Sequence, residues 1–303
     1  MNRIIEKIIQ TVNVLEGGGF PVRRTFPTDK LDQVDSFLLL DHLGPIEWGP
    51  GEAIGAPDHP HRGFETVTYL LAGETEHKDS GGHQGRLMPG DVQWMTAGSG
   101  VIHSEMPAPS FYEQGGMMHG FQIWINLPRD RKMIPPRYQD TPAEKIPEVL
   151  LEDGTSKVRV IAGEFQTTRA VIETNTPILY LHIKLQAGMN IAQPVTSDHN
   201  CIAYIIEGHG LFGEENGTQS ASEGQLMLFA RNGYEVYFSS GKDTPIDLPL
   251  LAGRPFNEEI ALYGPFDMNT REEIFEAFQD YQQGKMGMIS WFGLELIKTG
   301  PNI

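Results

Sequence analysis

The run His59-Pro60-His61-Arg62-Gly63-Phe64-Glu65-Thr66-Val67-Thr68-Tyr69-Leu70-Leu71 opens with two imidazoles one residue apart and passes into β-branched, aromatic and aliphatic residues. Such residues fit a pleated, half-buried surface, and the run is short, so a strand is expected. Residues two apart on a strand share a face, so an H-x-H pair can aim both rings at one ion. Beyond it, Pro89-Gly90-Asp91 marks a tight turn, and His103-Ser104-Glu105 repeats the spacing with a carboxylate second. Laid side by side, the two pairs offer three nitrogens and one oxygen. That set suits Fe(II), Mn(II), Ni(II), Cu(II), Co(II) or Zn(II) better than Mg(II) or Ca(II), which prefer oxygen alone. Four protein ligands on an octahedral ion leave open positions, and open positions imply chemistry.

Working outward, short apolar runs recur, each closed by glycine, proline or charge. Strands are expected at 37–40, 66–71, 92–95, 121–127, 158–161, 179–185, 202–206, 226–230 and 235–238. With 34 glycines and 21 prolines to make turns, the chain reads as all-β. The persuasive helix comes late: Thr270 and Glu273 form a capping-box pattern, and Ile274, Phe278 and Tyr281 share a face. This helix is expected to pack on a barrel surface.

The chain also repeats itself. Tyr69-Leu70-Leu71-Ala72-Gly73 resembles Tyr204-Ile205-Ile206-Glu207-Gly208, and the stretch 89–95 resembles 223–229 at nearly the same offset. A duplicated β unit follows. Residues 128–147, rich in proline and charge, read as the start of a linker. The expected units are 1–135, holding the metal, and 136–303, degenerate and metal-free, with the C-terminal helix. Shifting the four ligands into the second unit lands on Pro194, Thr196, Phe238 and Ser240, which offer no ligand pair.

Other chemistry-bearing residues are read more plainly. Glu65 lies an even spacing after His61, so it is a candidate fifth ligand or a supporting partner. His77 and His83 flank Ser80-Gly81-Gly82 and are expected to be exposed; His119 is expected to make a structural hydrogen bond. His182, His199 and His209 read as ordinary strand or turn residues. The single cysteine, Cys201, sits in a strand-like context and reads as a buried, inert thiol; it excludes an internal disulfide or a thiolate-rich zinc site. Phe64, Gln122 and Trp124 either line a pocket or belong to the core.

Bulk properties exclude some functions. The 303 residues carry a net charge of -17, which repels phosphate backbones and anionic lipid, so direct nucleic-acid or membrane binding is not expected. The basic patch Arg129, Arg131 and Lys132 reads as a solvated turn. Met1 to Gly17 lacks the continuous apolar core of a signal peptide, and no apolar run has the length of a membrane span. A cytoplasmic monomer is the default expectation.

The ligand pattern, H-x-H followed by a glutamate, P-G-D and a distant histidine, is similar to that of cupins. The extended run from His59 to Leu71, Gly90-Asp-Val-Gln-Trp-Met-Thr-Ala-Gly, His103-Ser-Glu-Met-Pro and Gly264-Pro-Phe-Asp-Met-Asn-Thr resemble pirins. The resemblance covers nearly the whole chain. It implies two tandem jelly-roll-like cupin barrels with one metal, usually taken to be iron, in the N-terminal one. By motif position the ligands fall on His59, His61, His103 and Glu105, which leaves Glu65 outside the ligand set. It also implies an activity like that of quercetin 2,3-dioxygenases, with a flavonol-type aromatic substrate and dioxygen; for such a reaction Glu105, once loosened from the metal, is the candidate catalytic base. The alternative is an iron-dependent, redox-sensing module that regulates a protein partner; the acidic chain would suit a basic one. A sugar or small-acid isomerase is a third reading, since fold does not fix function.

Overall fold

Every apolar run named above lies in or overlaps a strand. The computed structural model describes residues 1–213 and 219–289; the end of the expected second unit, 290–303, lies outside the described residues. A seven-stranded antiparallel sheet takes the order Arg137–Thr141, Val92–Thr96, Phe64–Ala72, Gly116–Asn126, Phe37–Trp48, Phe20–Phe26, Val12–Glu16. A four-stranded sheet, Ala56–His61, Val101–Pro107, Thr75–Asp79, Gln84–Leu87, faces it and closes the first barrel. The second barrel is an eleven-stranded sheet whose main path runs from Ile5–Gln10 through Gln225–Phe229, Asn200–Tyr204, Ile246–Gly253, Ile178–Leu185 and Lys157–Ala162 to Glu148–Leu150.

Strand alternation decides where the core sits. In Phe64–Ala72, Val67 and Tyr69 point away from the first barrel's interior. With Phe121, Ile123 and Ile125 they pack on Tyr180, Ile202, Tyr204 and Leu251 of the second barrel. Each such buried side chain contributes about 1.5–3 kcal/mol, so the barrels are joined along an apolar face. The second barrel is filled by its own side chains, among them Phe212, Phe229, Phe238, Val236 and Leu248. Phe238, one of the four shifted ligand positions, stacks on Phe212 inside that filling. Cys201 lies in the same core, fully buried, and burial pushes its thiol up to about 12.

The expected division at 135/136 is crossed three times. Ile5–Gln10 pairs with Gln225–Phe229 of the second barrel. Arg137–Thr141, inside the expected linker, pairs with Val92–Thr96 of the first. The hairpin Ala261–Tyr263 with Phe266–Met268 and the helix Arg271–Gln282 return to the first barrel, where Ile274, Ala277, Phe266 and Met268 bury Ile102. The helix begins with the expected capping box on Thr270 and Glu273. Its apolar face packs on its own hairpin and, through Ile102, on the first barrel, a contact that a local reading assigns to the wrong barrel. Among the described residues, no helix is long and apolar enough to cross a membrane.

Of the basic patch, Arg129 and Arg131 are exposed as expected and Lys132 is not. Lys132 is buried, its ammonium 2.8 Å from Asp267 Oδ2 and 3.0 Å from the Gly63 carbonyl oxygen. It ties the returning hairpin to the start of Phe64–Ala72. Sequence shows the charge but not the distant carboxylate that permits its burial.

Between the barrels, His42 is buried, with Nδ1 2.9 Å from the Tyr204 hydroxyl and Nε2 2.6 Å from His119 Nε2. Burial, then the Arg23 charge, press His42 down to about 2, from 6.5. It is neutral in the fold and titrates normally when unfolded, so the unfolded state binds more protons below its ordinary pKa. The stability present above that value is lost as pH falls. From about pH 7.5 to about pH 5 the loss from this one group is about 2 kcal/mol. Urea unfolding of wild type and His42→Gln at both pH values should show a loss smaller by about that amount in the variant; equal losses would contradict the assignment.

Candidate metal centre

The strand Ala56–His61 lies at the edge of the four-stranded sheet, where Pro57 and Pro60 forfeit no essential ladder bond. It pairs with Val101–Pro107 so that His103 stands opposite His59 and Val101 opposite His61. The three imidazoles converge, with donor atoms all within 4.8 Å of one another. Ring centroids are 4.4 Å apart for His59 and His103, 4.7 Å for His59 and His61, and 4.9 Å for His61 and His103. His61 also meets Phe64 and Trp124 edge-on.

Hydrogen bonding prepares the lone pairs. His59 Nδ1 lies 2.7 Å from the Pro57 carbonyl oxygen and His61 Nδ1 3.3 Å from that of Pro265. When each Nδ1–H donates to its carbonyl, Nε2 is free to bind a cation, as is usual for metal-binding histidines. His103 is fully buried, and neither of its ring nitrogens has a partner. A buried polar group left unpaired costs about 1–3 kcal/mol, which a cation at the centre of the triad would relieve. Burial, then the neighbouring imidazoles, hold His103 well below the usual histidine range; burial does the same for His61. Both rings are therefore neutral, the state a metal needs. These residues fit a first-row divalent ion.

Glu105 enters the same cavity but is not grouped with the three histidines. Its Oε1 accepts a 2.8 Å hydrogen bond from the Thr68 hydroxyl, whose oxygen lies 2.7 Å from the side-chain amide of Gln122. Sequence reasoning missed Thr68, although alternation along Phe64–Ala72 puts it on the inner face with Phe64, Thr66 and Leu70.

Glu65 is elsewhere. It is fully buried, and its Oε1 accepts from the Thr96 hydroxyl at 2.6 Å and the Asn175 amide at 2.7 Å. The even-spacing argument fails because His61 and Glu65 belong to different strands. The chain turns between them at Gly63, with φ of 90°. A Cβ there would stand 1.8 Å from the Asp267 carbonyl oxygen. Gly63→Ala should therefore cost about 3 kcal/mol of strain; an unchanged thermal midpoint would contradict this.

His77 is buried, contrary to expectation, with Nε2 3.1 Å from Asp140 Oδ2 and its ring stacked on Tyr138. The Tyr138 ring comes from the crossing strand Arg137–Thr141, invisible to a local reading. His83 is exposed and pairs with Asp79. His119 makes the hydrogen bond expected of it, to His42. His182 does more than a plain strand residue: it joins the Tyr69 hydroxyl, 2.8 Å away, to Asp247, 2.6 Å away, across the barrel interface.

A cavity of about 590 Å³ opens beside the histidines. His59, His61, Glu105, Thr68, Gln122 and Trp124 line it, so two of the three residues left between pocket and core, Gln122 and Trp124, face the pocket. Phe64 is fully buried behind them, against Trp124. The distant Gly264-Pro265 stretch also lines the cavity, and Pro265 orients His61.

One hollow barrel around a histidine triad, fused to one filled barrel, defines a bicupin with a candidate metal site. The Pirin family model matches residues 19–125 and the Pirin C-terminal cupin domain model residues 180–287. A pirin-like protein of Solanum lycopersicum is 43% identical, over 94% of this chain and 93% of its own. Human pirin is 39% identical, over 90% of each chain. The crystal structure of a quercetin 2,3-dioxygenase from Acinetobacter baumannii superposes with a TM-score of 0.89 at 38% identity, covering 96% of this chain and all of that one. The chain belongs to the pirin family.

Proposed function

We propose that this protein is a metal-dependent dioxygenase that opens the central ring of flavonol-type substrates. The observation that carries the reading is the convergence of three imidazoles beside an apolar-walled cavity, His59 and His61 lining it and His103 buried behind them with both ring nitrogens orphaned. The likeness to a solved quercetin 2,3-dioxygenase supports it. His59, His61 and His103 would hold the ion, with Glu105 as a fourth ligand able to leave for Thr68. Iron is the ion proposed, with Mn, Ni, Cu, Co and Zn competing for the same donors. When bound, the metal would acidify a chelated hydroxyl and bring it together with dioxygen.

The chain's own residues supply the rest. Glu105, held by the hydrogen bond from the Thr68 hydroxyl, would take the proton of the substrate's 3-hydroxyl. Trp124, with Leu39 and Leu43, gives flat apolar walls that orient an aromatic ring and exclude water. The reaction balances without another reductant: both atoms of dioxygen enter the ring-opened ester acid, and the carbon that bore the 3-hydroxyl leaves as carbon monoxide.

Product analysis tests this. Metal-loaded protein given quercetin in air should release carbon monoxide and the ester acid in equal amounts. Metal-loaded protein that yields neither would remove the enzymatic reading and leave a metal-dependent binding module for a protein partner.

A further inference from the structure

The floor of the cavity carries a pattern that the metal does not explain. Four residues of the seven-stranded sheet stand side by side on neighbouring strands: Arg24 opposite Asp41, Asp41 opposite Gln122, and Gln122 opposite Thr68. All four line the cavity. On one side of this polar row lie Leu43 and Leu70, and on the other Leu39 and Trp124, also in the cavity wall. The row is thus a polar strip set in an apolar floor. Thr68, bound to Glu105, is its metal end; Arg24 and Asp41 form its far end.

The far end is a charged fork. Arg24 donates from Nε and Nη2 to the two oxygens of Asp41, at 2.8 and 2.6 Å, and Nη2 also lies 2.6 Å from Glu16 Oε1. Arg24 Nη1 makes no hydrogen bond to the described residues. Asp41 is buried, with lone pairs left over after the Arg24 bonds. Burial pushes its carboxyl up, against the pull of Arg24. An apolar pair at this place would stabilise the fold about as well. The cluster instead puts a free N–H donor beside carboxylate acceptors, with two negative charges to one positive. That arrangement disfavours an anionic group and suits adjacent hydroxyls, which both donate and accept.

Distance sets which hydroxyls. Neighbouring strands lie about 4.8 Å apart, so the backbone of Asp41 stands roughly 10 Å from that of Thr68. The 3-hydroxyl and the pendant-ring hydroxyls of a flavonol stand roughly 6 Å apart, and a hydrogen bond of about 2.8 Å at each end extends the reach to roughly 12 Å, enough to join Thr68 to Asp41 and to the Arg24 fork that Asp41 holds. We propose that Glu16, Arg24 and Asp41 form a specificity subsite for the hydroxyl groups on the pendant ring of a polyhydroxylated flavonol. This rests on the flavonol reading of the metal end.

The test uses the full chain loaded with Fe(II), kept anaerobic so that nothing turns over, and titrated by calorimetry with quercetin and with galangin. Galangin lacks only the two pendant-ring hydroxyls. Wild type should bind quercetin about tenfold tighter or more, the worth of hydrogen bonds to charged groups. The paired variant Arg24→Met, Asp41→Leu removes both charges together. It should bring the ratio near one, chiefly by weakening quercetin binding. If that variant fails to fold or to hold iron, Arg24→Lys, which keeps the charge and loses the fork, should still lower the ratio. A wild-type ratio near one, or a ratio preserved in the variant, overturns the subsite and leaves the flavonol reading standing. If wild type binds neither compound, the flavonol reading fails and the subsite with it.

Discussion

His103→Ala is expected to abolish metal binding. The ring is fully buried, both nitrogens lack partners, and no neighbouring side chain stands in for it. Losing even an outer hydrogen-bond partner of a metal ligand costs about 10–100-fold in affinity, and loss of a ligand should exceed that. Stability gives a second readout. An ion that binds only the folded state stabilises it by about 2.7 kcal/mol at a hundred times its dissociation constant. Added Fe(II) should therefore raise the thermal midpoint of wild type and leave that of His103→Ala where it was. Equal metal content in the two proteins, by elemental analysis, would place the ion elsewhere.

Glu105→Gln carries the second large effect. The amide keeps the size of the side chain and can still accept from the Thr68 hydroxyl, but it cannot take a proton. The three histidines should retain metal, and kcat should fall by about 10²–10⁴-fold, the usual contribution of a general base. Thr68→Val should lower kcat less, because it loosens the carboxylate without removing it. Full turnover by Glu105→Gln would exclude a role for this carboxylate in proton transfer.

How much of this was legible in the sequence depends on how far apart the partners lie. The approach of His103 to the H-x-H pair was readable because strand alternation is local; Glu105 of the H-x-E pair, past a register shift after His103, bonds Thr68 and is not grouped with the three rings. The strands and the capping box were readable for the same reason. Glu65 misled because one turn at Gly63 resets the alternation, and a positive φ is not visible in a pattern of apolar and polar residues. Lys132 and His77 misled because their burial depends on Asp267 and on the Arg137–Thr141 strand, each remote in the chain. The ion pair of Arg24 and Asp41 was silent for a related reason: it exists only through the register of two strands. The division of the chain failed at its edges, where the first strand and the last helix each cross to the other barrel.

The most direct test of the central claim is oxygen uptake by anaerobically prepared, Fe(II)-loaded protein on addition of quercetin, beside the double variant His59→Ala, His61→Ala. The account predicts uptake that requires both metal and flavonol and is lost in the variant. No uptake by wild-type protein shown to hold one iron per chain would contradict it.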